Sequence, residues 1–314
     1  MTKNAFSFIP AYTETSATAP RTQTKMRPIM IALFMMLGVV GGVTYQRSER
    51  QRQAVRSIES LGGTVCYDYQ IEGEGIRSNA QSWVPSFILE HTGVDVFHSV
   101  VEVSLLQPRL PHERTRESEN QRLRALDVLY PLPSIQVLRV SGRLVNDRRM
   151  CEFGKMRSLR ELVVTNASQV TNRGIESLST SNSLETVQLT RAALDDEALR
   201  WFSYLPNLRC LVLYATKFSN QGLAYLNKSQ SLEQLWLDSS PSYIDDTGLA
   251  FLQTMPKLKD ISLPHASLTT EGKQRLMEAN PLLRFAPNWL KNSEYLEGER
   301  SAAEPTSEAT PVNQ

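Results

Sequence analysis

One apolar pattern recurs six times in this chain of 314 residues. Each copy reads Leu-x-x-Leu-x-Leu, with Ile or Val at some positions, and is followed by a turn and a short helical segment. The first residues of successive copies are 24, 25, 24, 24 and 26 positions apart: Ile135, Leu159, Leu184, Leu208, Leu232 and Leu258. A unit of this length has one apolar edge and nothing of its own to bury it against, so it is stable only in a stack.

A second pattern keeps the same period. Before each helical segment stands a residue whose side-chain oxygen can accept a hydrogen bond from an unpaired N–H group at the helix start. The six predicted N-cap residues are Asn146, Thr171, Asp195, Ser219, Asp245 and Thr269. Four of the helices also carry glycine three residues after the cap, at Gly174, Gly222, Gly248 and Gly272. Two independent patterns with one period are difficult to produce by chance, so the repeat is the strongest signal in the sequence.

These residues resemble the leucine-rich-repeat family. The stretch 245–252 reads Asp-Asp-Thr-Gly-Leu-Ala-Phe-Leu. It is close to the Thr-Asp-x-Gly-Leu form of the repeat found in compact, helix-bearing planctomycete membrane-anchored proteins. The likeness covers roughly residues 96–285. It implies an α/β fold: a right-handed leucine-rich-repeat solenoid with short parallel strands on the concave face and helices on the convex face.

The turn after each strand departs from the pattern of that family. Many members carry Asn or Cys there, and the side chain bonds to the backbone of the next coil. In this chain the position holds Arg143, Ala167, Ala192, Thr216, Ser240 and Ala266. We therefore expect small residues to fill a tight corner, rather than a continuous side-chain ladder.

A run of eighteen residues without a charge lies at positions 28–45. As a helix it would be about 27 Å long, close to the thickness of the hydrocarbon core of a bilayer. We interpret it as a single transmembrane helix bounded by Arg27 and Arg47. A cleaved signal peptide fits less well, because the leader is long and no clear small-x-small cleavage site follows. A buried core helix is the third alternative, and the run lacks the polar face that such a helix would show.

The charges beside this run do not fix its orientation. Three basic residues flank it on one side and four on the other, so the positive-inside rule finds no clear asymmetry. By analogy with signal-anchor proteins, we expect the short N-terminus inside and the repeat domain outside the cytoplasm. The protein would then be a single-pass protein of the cell membrane.

The pattern along the chain divides it into six parts. Composition without periodicity predicts disorder at both ends, and the mixed apolar segment before the repeats predicts a cap over the open end of the stack. The predicted parts are a disordered segment 1–27, a transmembrane helix 28–45, a juxtamembrane segment and N-terminal cap 46–105, a loop and first helix 106–134, the repeats 135–285, and a disordered tail 286–314.

The sequence contains no convincing candidate for a catalytic, metal-binding or cofactor-binding site. Its four histidines and three cysteines do not stand at the spacing of a metal site, and no phosphate-binding or serine-hydrolase motif occurs. The acidic pair Asp195-Asp196, like the pair at 245–246, is explained by a helix start, where negative charge suits the helix dipole. We predict no catalytic residue, no metal site and no cofactor. The net charge of +1 gives no field that would attract nucleic acid.

The remaining candidate is a surface. Residues that alternate with the leucines of each strand point to the face away from the core, predicted to be concave, and stacked coils arrange them in columns. Large aromatic side chains on such a face are frequent anchors of protein interfaces, although aromatic contacts across strands also stabilise a sheet. The predicted partner-binding residues are Gln188, Val212, Tyr214, Gln234, Trp236 and Asp238.

The functional hypothesis follows from the repeat and the apolar run together. We expect a membrane-anchored leucine-rich-repeat protein that binds an unidentified protein or other macromolecule and catalyses nothing. A structural protein of the cell envelope without a specific partner is the alternative, and an enzyme is a third. An enzyme would need carboxylates or histidines that converge on the concave face. The oligomeric state stays open.

Overall fold

A computed structural model describes residues 26–72, 75–76, 80–106, 126–127, 129, 132–239 and 243–286, with the backbone alone at 26–41, 72, 75–76, 143 and 239. Its contacts divide the chain into two units, Met1–Gln46 and Arg47–Gln314. The predicted disordered ends, 1–27 and 286–314, lie outside the described residues except for Ala286 and for Met26 and Arg27, which are helical. Most of the predicted loop 106–134 also lies outside the described residues. The boundaries of the six predicted parts stay predictions.

Among the residues that the structure describes, the larger unit contains a sheet of nine strands, which lie side by side in the order of the chain. The first pair is antiparallel and every later pair is parallel. A separate pair of short strands, β2 and β3, lies between β1 and β4 in sequence. The strands are β1 Thr64–Tyr67, β2 Ile71–Glu72, β3 Gly75–Ile76, β4 Val100–Leu105, β5 Val137–Ser141, β6 Glu161–Thr165, β7 Thr186–Thr190, β8 Cys210–Thr216, β9 Gln234–Ser239, β10 Asp260–Ser262 and β11 Arg284–Phe285.

A helix follows each strand of the repeats. All six predicted N-cap residues are confirmed, because each side chain accepts a hydrogen bond from a backbone N–H group in the first turn. The described α-helices are α1 Met26–Ser60, α2 Ser86–Thr92, α3 Asp147–Gly154, α4 Asn172–Leu178, α5 Asp196–Phe202, α6 Asn220–Leu226, α7 Asp246–Leu252 and α8 Thr270–Ala279. The result is an α/β stack of strand-turn-helix units, which is a leucine-rich-repeat-like fold.

The core lies between the sheet and the helices. Leu162 of β6 pairs with Val187 of β7, and Leu211 of β8 pairs with Leu235 of β9, so the repeated apolar residues form a row across the strands. All four are completely buried. Burial of one such side chain stabilises the fold by about 1.5–3 kcal/mol. Because each row is shared between neighbouring repeats, this free energy stabilises the stack of repeats, and a single repeat would not gain it alone.

The predicted filling of the corner after the strand is confirmed at three of the six positions; Ala266 is half-buried, the side chain of Arg143 is not described, and Ser240 lies outside the described residues. Ala167, Ala192 and Thr216 are buried at this position. The residue before each of them has a positive φ: 55° at Asn166, 56° at Arg191 and 55° at Ala215. A left-handed residue turns the chain sharply here, and only a small or β-branched side chain then fits inside the corner.

A hydrogen-bonded ladder connects the starts of successive helices, and the sequence analysis did not foresee it. The Asp196 carboxylate, at the first residue of α5, accepts bonds from the backbone N–H and the hydroxyl of Ser219, the N-cap of α6. The same link joins every neighbouring pair from α3 to α8: Asp147 with Thr171, Asn172 with Asp195, Asp196 with Ser219, Asn220 with Asp245, and Asp246 with Thr269.

The members of each ladder pair are chemically matched. A carboxylate only accepts, and the three aspartates at the first helical position face a Thr or Ser cap that donates a hydroxyl. An asparagine both donates and accepts. Asn220 donates to the Asp245 carboxylate and accepts from the Asp245 backbone N–H group. The alternation of caps along the sequence therefore reflects the residue that each cap meets in the preceding repeat.

Helix α1 begins at Met26 and ends at Ser60, and Gly62 just after it has a left-handed φ of 73°. Ala54 and Ile58 on this helix are fully buried against the sheet's first strands. Among the residues whose side chains the structure describes, no helix is both long enough and apolar enough to cross a membrane. The predicted span 28–45 lies largely outside those residues, since 28–41 are described by their backbone alone.

The substitution Gly222→Ala tests the packing of the ladder. A Cβ atom at Gly222 would lie 2.5 Å from Asp196 Oδ1 and 2.7 Å from Leu199 Cδ1. We expect the free energy of unfolding to fall by about 1–3 kcal/mol, although alanine favours a helix more than glycine does. Urea denaturation of this variant and of Gln221→Ala, an exposed neighbour, is the measurement. A stability equal to or above that of the parent would contradict the tight contact.

Candidate interaction surface

The six predicted binding residues lie on three adjacent strands of the face opposite the helices, called here the outer face. One row runs from Gln188 through Val212 to Trp236, and a parallel row pairs Tyr214 with Asp238. Gln234 belongs to a third row and pairs with Cys210. The structure therefore brings all six together on β7, β8 and β9, in the register that the repeat predicts.

Their exposure differs from the prediction of an open face. Gln188 is only 7% exposed and Val212 only 4%. Tyr214, Gln234 and Trp236 are half-buried. The middle row is covered because each of its members has a neighbour on both adjacent strands and a further row on either side. Trp236 in this row and Tyr214 in the next row keep part of their surface exposed, so a partner would touch these two rings before it touched Val212.

The buried amide of Gln188 has an unusual environment. Its strand neighbours in the same row are Val163 and Val212, and both are apolar and buried. Among the described atoms, Gln188 Nε2 has no hydrogen-bond partner. A buried donor without a partner typically costs about 1–3 kcal/mol. A buried water would supply the missing acceptor.

Polar groups border the aromatic residues. Asp238 is opposite Tyr214 in the sheet, and His265 Nε2 lies 3.2 Å from Asp238 Oδ1. Burial raises the pKa of the Asp238 carboxyl, and the positive charge of His265, when protonated, opposes that shift. The border therefore supplies hydrogen-bonding groups to a partner that covers Tyr214.

An ion cluster occupies the other end of the outer face. The Arg139 guanidinium on β5 donates to the Glu102 carboxylate on β4 and, at 2.7 Å, to the Glu161 carboxylate on β6. The exposed fractions of the Arg139 and Glu102 side chains are only 13% and 11%. Burial raises the pKa of Glu102, the Arg139 charge opposes this, and Glu161 adds to it. Glu102 and Glu161 lie in one row of the sheet with Val137 between them, and Arg139 lies in the next row, so its guanidinium reaches both carboxylates diagonally.

The cysteine in this region is not a reactive group. Cys210 lies on β8 beside Gln234. Burial raises the pKa of its thiol to about 12, and the charge of Glu161 contributes to the rise. The thiolate is the nucleophilic form of cysteine. Cys210 therefore stays a neutral thiol at physiological pH and acts as a small residue of the sheet.

A second set of charges lines the start of the strands. Glu233 bonds both Arg209, at 2.8 Å, and Lys259, at 2.7 Å. These two hydrogen bonds lower the pKa of Glu233 from its usual 4.5 to about 2. A lowered pKa stabilises the fold above pH 4.5, and the contribution disappears as the pH falls towards 2. The effect is small because the cations are more than half exposed and therefore screened.

Three side chains before the repeats form a chain of hydrogen bonds. His98 lies 2.7 Å from Ser82 Oγ through Nε2 and 2.7 Å from Asp68 Oδ1 through Nδ1. The same order of contacts activates the serine of serine hydrolases. Here the His98 side chain is only 2% exposed, and the backbone N–H groups of Val84 and Ser99 also donate to Ser82 Oγ and Asp68 Oδ2. We interpret the arrangement as a tie between three segments of the chain.

The sequence analysis missed this tie because the three residues follow no period. His98 is 30 positions from Asp68 and 16 from Ser82. No motif connects them, and only the antiparallel pairing of β1 with β4 brings the two strand ends together. Within the described residues, no group of three or more His, Cys, Asp or Glu side chains could hold a metal ion.

Comparisons with known proteins add little to this geometry. No family model and no curated protein matches the chain. Among solved structures, a chain of the yeast Rad7–Elc1 complex has a TM-score of 0.37 and 15% identity, over 63% of this chain and 64% of that one. Internalin C2 of Listeria monocytogenes has a TM-score of 0.31 and 20% identity, over 48% of this chain and 61% of that one. TLR13 in complex with ssRNA13 has a TM-score of 0.32 and 14% identity, over 52% of this chain and 26% of that one.

All three neighbours are leucine-rich-repeat proteins. The chain spans less than two thirds of the length of each of them. At these scores the likeness supports no conclusion about a partner or an activity. The repeat architecture described above defines the fold class, and the narrower resemblance to planctomycete repeats stays a prediction.

The substitution Arg139→Ala tests the ion cluster. Removal of the Arg139 guanidinium leaves the Glu102 and Glu161 carboxylates without their cation. We expect a loss of about 2–3 kcal/mol in the free energy of unfolding at pH 7. The loss should shrink as the pH falls towards 4, because protonated carboxyls no longer repel. Chemical denaturation at both pH values measures it. Arg160→Ala is the control, since this arginine is 63% exposed and its pair should contribute less than about 1 kcal/mol.

A loss that stays the same at both pH values would contradict the electrostatic account. Arginine also contributes apolar contacts through its side-chain stem, and those contacts do not depend on pH. The variant Arg139→Met separates the two effects, because it keeps most of the stem and removes the charge.

Proposed function

We propose that the protein binds another protein through the outer face of β7, β8 and β9, and that it catalyses no reaction. The observation that carries this proposal is the pair of half-buried aromatic side chains, Tyr214 and Trp236, on neighbouring strands of the outer face. Interface hot spots combine half-buried aromatic anchors with polar groups that a partner can satisfy. Asp238 and Gln234 supply the surrounding polar groups.

The proposed partner is a protein rather than a nucleic acid. The chain carries a net charge of +1, and acids and bases alternate on the outer face and along the strand starts. Nucleic-acid binding depends on a basic surface that displaces counterions from phosphates. Two of the structural neighbours are found in complexes, one with Elc1 and one with RNA. The mixed charges favour the first kind of partner.

We further propose that residues 28–45 anchor the protein in the cell membrane as a single span, with the repeats outside the cytoplasm. This proposal is supported by the sequence, in which eighteen residues without a charge are followed by a segment rich in arginine. The repeats would then present the outer face to partners beside the membrane. The alternative is a structural protein of the cell envelope, in which the same anchor holds the repeats to bulk wall material.

The double substitution Tyr214→Ala and Trp236→Ala tests the binding surface. The parent and the variant are used as baits for crosslinking capture from cells of the source organism, after circular dichroism shows that both are folded. We expect a discrete partner with the parent and at least a tenfold loss of capture with the variant, since each lost aromatic anchor typically costs 1–3 kcal/mol.

The matched control for this experiment is Tyr204→Ala. Tyr204 is 49% exposed and follows helix α5, away from the outer face. Capture by this control should equal that of the parent. Equal capture by the parent and the double variant would instead assign Tyr214 and Trp236 to sheet stabilisation. Capture of bulk wall material by all three proteins would favour the structural alternative.

A fluorophosphonate probe distinguishes a binding protein from an enzyme. The probe phosphonylates an activated serine, and Ser82 is the serine that lies in a Ser–His–Asp chain. Because we interpret this chain as a structural tie, we expect no labelling above that of the Ser82→Ala variant. Labelling of the parent that Ser82→Ala and His98→Asn both abolish would replace the binding proposal with a hydrolase.

A further inference from the structure

Four apolar side chains before the repeats are exposed close to one another in the chain. The exposed fractions are 75% for Trp83, 64% for Phe87, 40% for Val96 and 38% for Phe97. We call these four residues the aromatic patch. Single exposed apolar residues are ordinary on protein surfaces, whereas a group of large rings indicates a binding surface. None of the contacts proposed for the outer face uses them.

The patch is held in place by contacts beneath it. The rings of Trp83 and Phe97 meet edge to face with centroids 6.2 Å apart, and the Trp83 ring lies 6.0 Å from the buried His98 ring. The hydrogen bonds of His98 to Ser82 and Asp68 fix the segments that carry these rings. The Trp83 ring is therefore held in its exposed position, and it does not reduce its contact with water by folding back onto the protein.

The same segments are bonded to the beginning of the larger unit. Arg47 donates to Ser99 Oγ at 3.1 Å, and the Gln51 amide donates to the His98 carbonyl at 2.7 Å. The Arg52 guanidinium donates to the Thr92 carbonyl at 2.9 Å. These bonds join residues 92–99 directly to residues 47–52. In the sequence, Arg47 stands two positions after Tyr45, the last residue of the charge-free run.

We propose that the aromatic patch inserts into the headgroup region of the bilayer that residues 28–45 span. This inference rests on the membrane anchor proposed above. Tryptophan and phenylalanine favour the interface between water and hydrocarbon, where an apolar ring is buried and polar groups stay hydrated. The exposed Arg47 and Arg50 beside the run can meet anionic headgroups.

Tethering makes this insertion effective. A few aromatic rings bind a membrane weakly when a protein must first diffuse to it. A patch in the same chain as a membrane span is tethered to the bilayer, so its insertion is an intramolecular step with a high effective concentration. The patch would then restrict how the larger unit moves relative to the bilayer, and it would not need to attach the protein by itself.

Tryptophan quenching by lipid tests the proposal on the full chain. The protein is reconstituted into vesicles of phosphatidylcholine with 30% phosphatidylglycerol (about one third anionic lipid, as a bacterial membrane surface would present), with and without bromine on the acyl chains. Flotation of the vesicles reports the anchor. The difference in fluorescence between the parent and Trp83→Phe isolates the emission of Trp83 from that of the other three tryptophans.

We expect the protein to float with the vesicles and the Trp83 emission to fall by about half or more with brominated lipid, as for a ring at the interface. The matched control is Trp201→Phe, since Trp201 lies on α5 among the repeats and its emission should not change. The variant Phe87→Ser with Phe97→Ser should float equally well but show weaker quenching of Trp83.

The other outcomes overturn the inference in distinguishable ways. Flotation without quenching of Trp83 leaves the anchor standing and removes the bilayer as the occupant of the patch, which would favour a protein there. Absence of flotation removes both the anchor and the patch proposal. Quenching of Trp83 that the double serine variant does not weaken shows that Trp83 meets lipid alone and overturns the role of the patch as a unit.

Discussion

Every repeat of this protein depends on its neighbour for the burial of its leucines. A strand of three to seven residues and a helix of seven to ten form a layer too thin to enclose a core, so apolar side chains such as Leu211 are covered on two sides by the neighbouring coils. The parallel strands provide the backbone hydrogen bonds between coils, and the helix starts provide side-chain bonds. The side-chain bonds between helix starts are the less expected of the two, because the polar residues that form them also cap the helices.

The ladder of helix starts sets the distance between coils on the helix side. In each pair the first residue of one helix reaches the cap of the next, as Asp196 reaches Ser219. In four of the five pairs the later helix carries glycine at its third position, beside that first residue. The exception is α5, which carries Ala198 there and follows the helix that begins with Asn172. The cap, the glycine and the ladder partner of each helix start are thus packed against one another. A substitution at one of the three is expected to change which residues fit at the other two.

The sequence predicted the parts of the structure that follow the period. The caps, the buried corners and the rows of the outer face all recur every 24 to 26 residues, so their register could be read before any coordinates were considered. The burial of Gln188 and Val212 could not, because it depends on how closely side chains of adjacent rows approach. The contact of His98 with Ser82 and Asp68 could not either, since it joins segments outside the repeats that share no spacing.

The two ends of the outer face differ in what they can offer a partner. At the end near β4, Arg139 already neutralises Glu102 and Glu161, and burial of these groups would bring further desolvation with little new bonding. Near β8 and β9, the rings of Tyr214 and Trp236 keep free surface, and the amide of Gln188 lacks an acceptor among the described atoms. A partner therefore gains most at the second end, by covering the exposed part of the two aromatic rings. The charged end then disfavours the binding of partners that lack complementary charges or hydrogen-bonding groups, because such partners would bury its charges without new bonds.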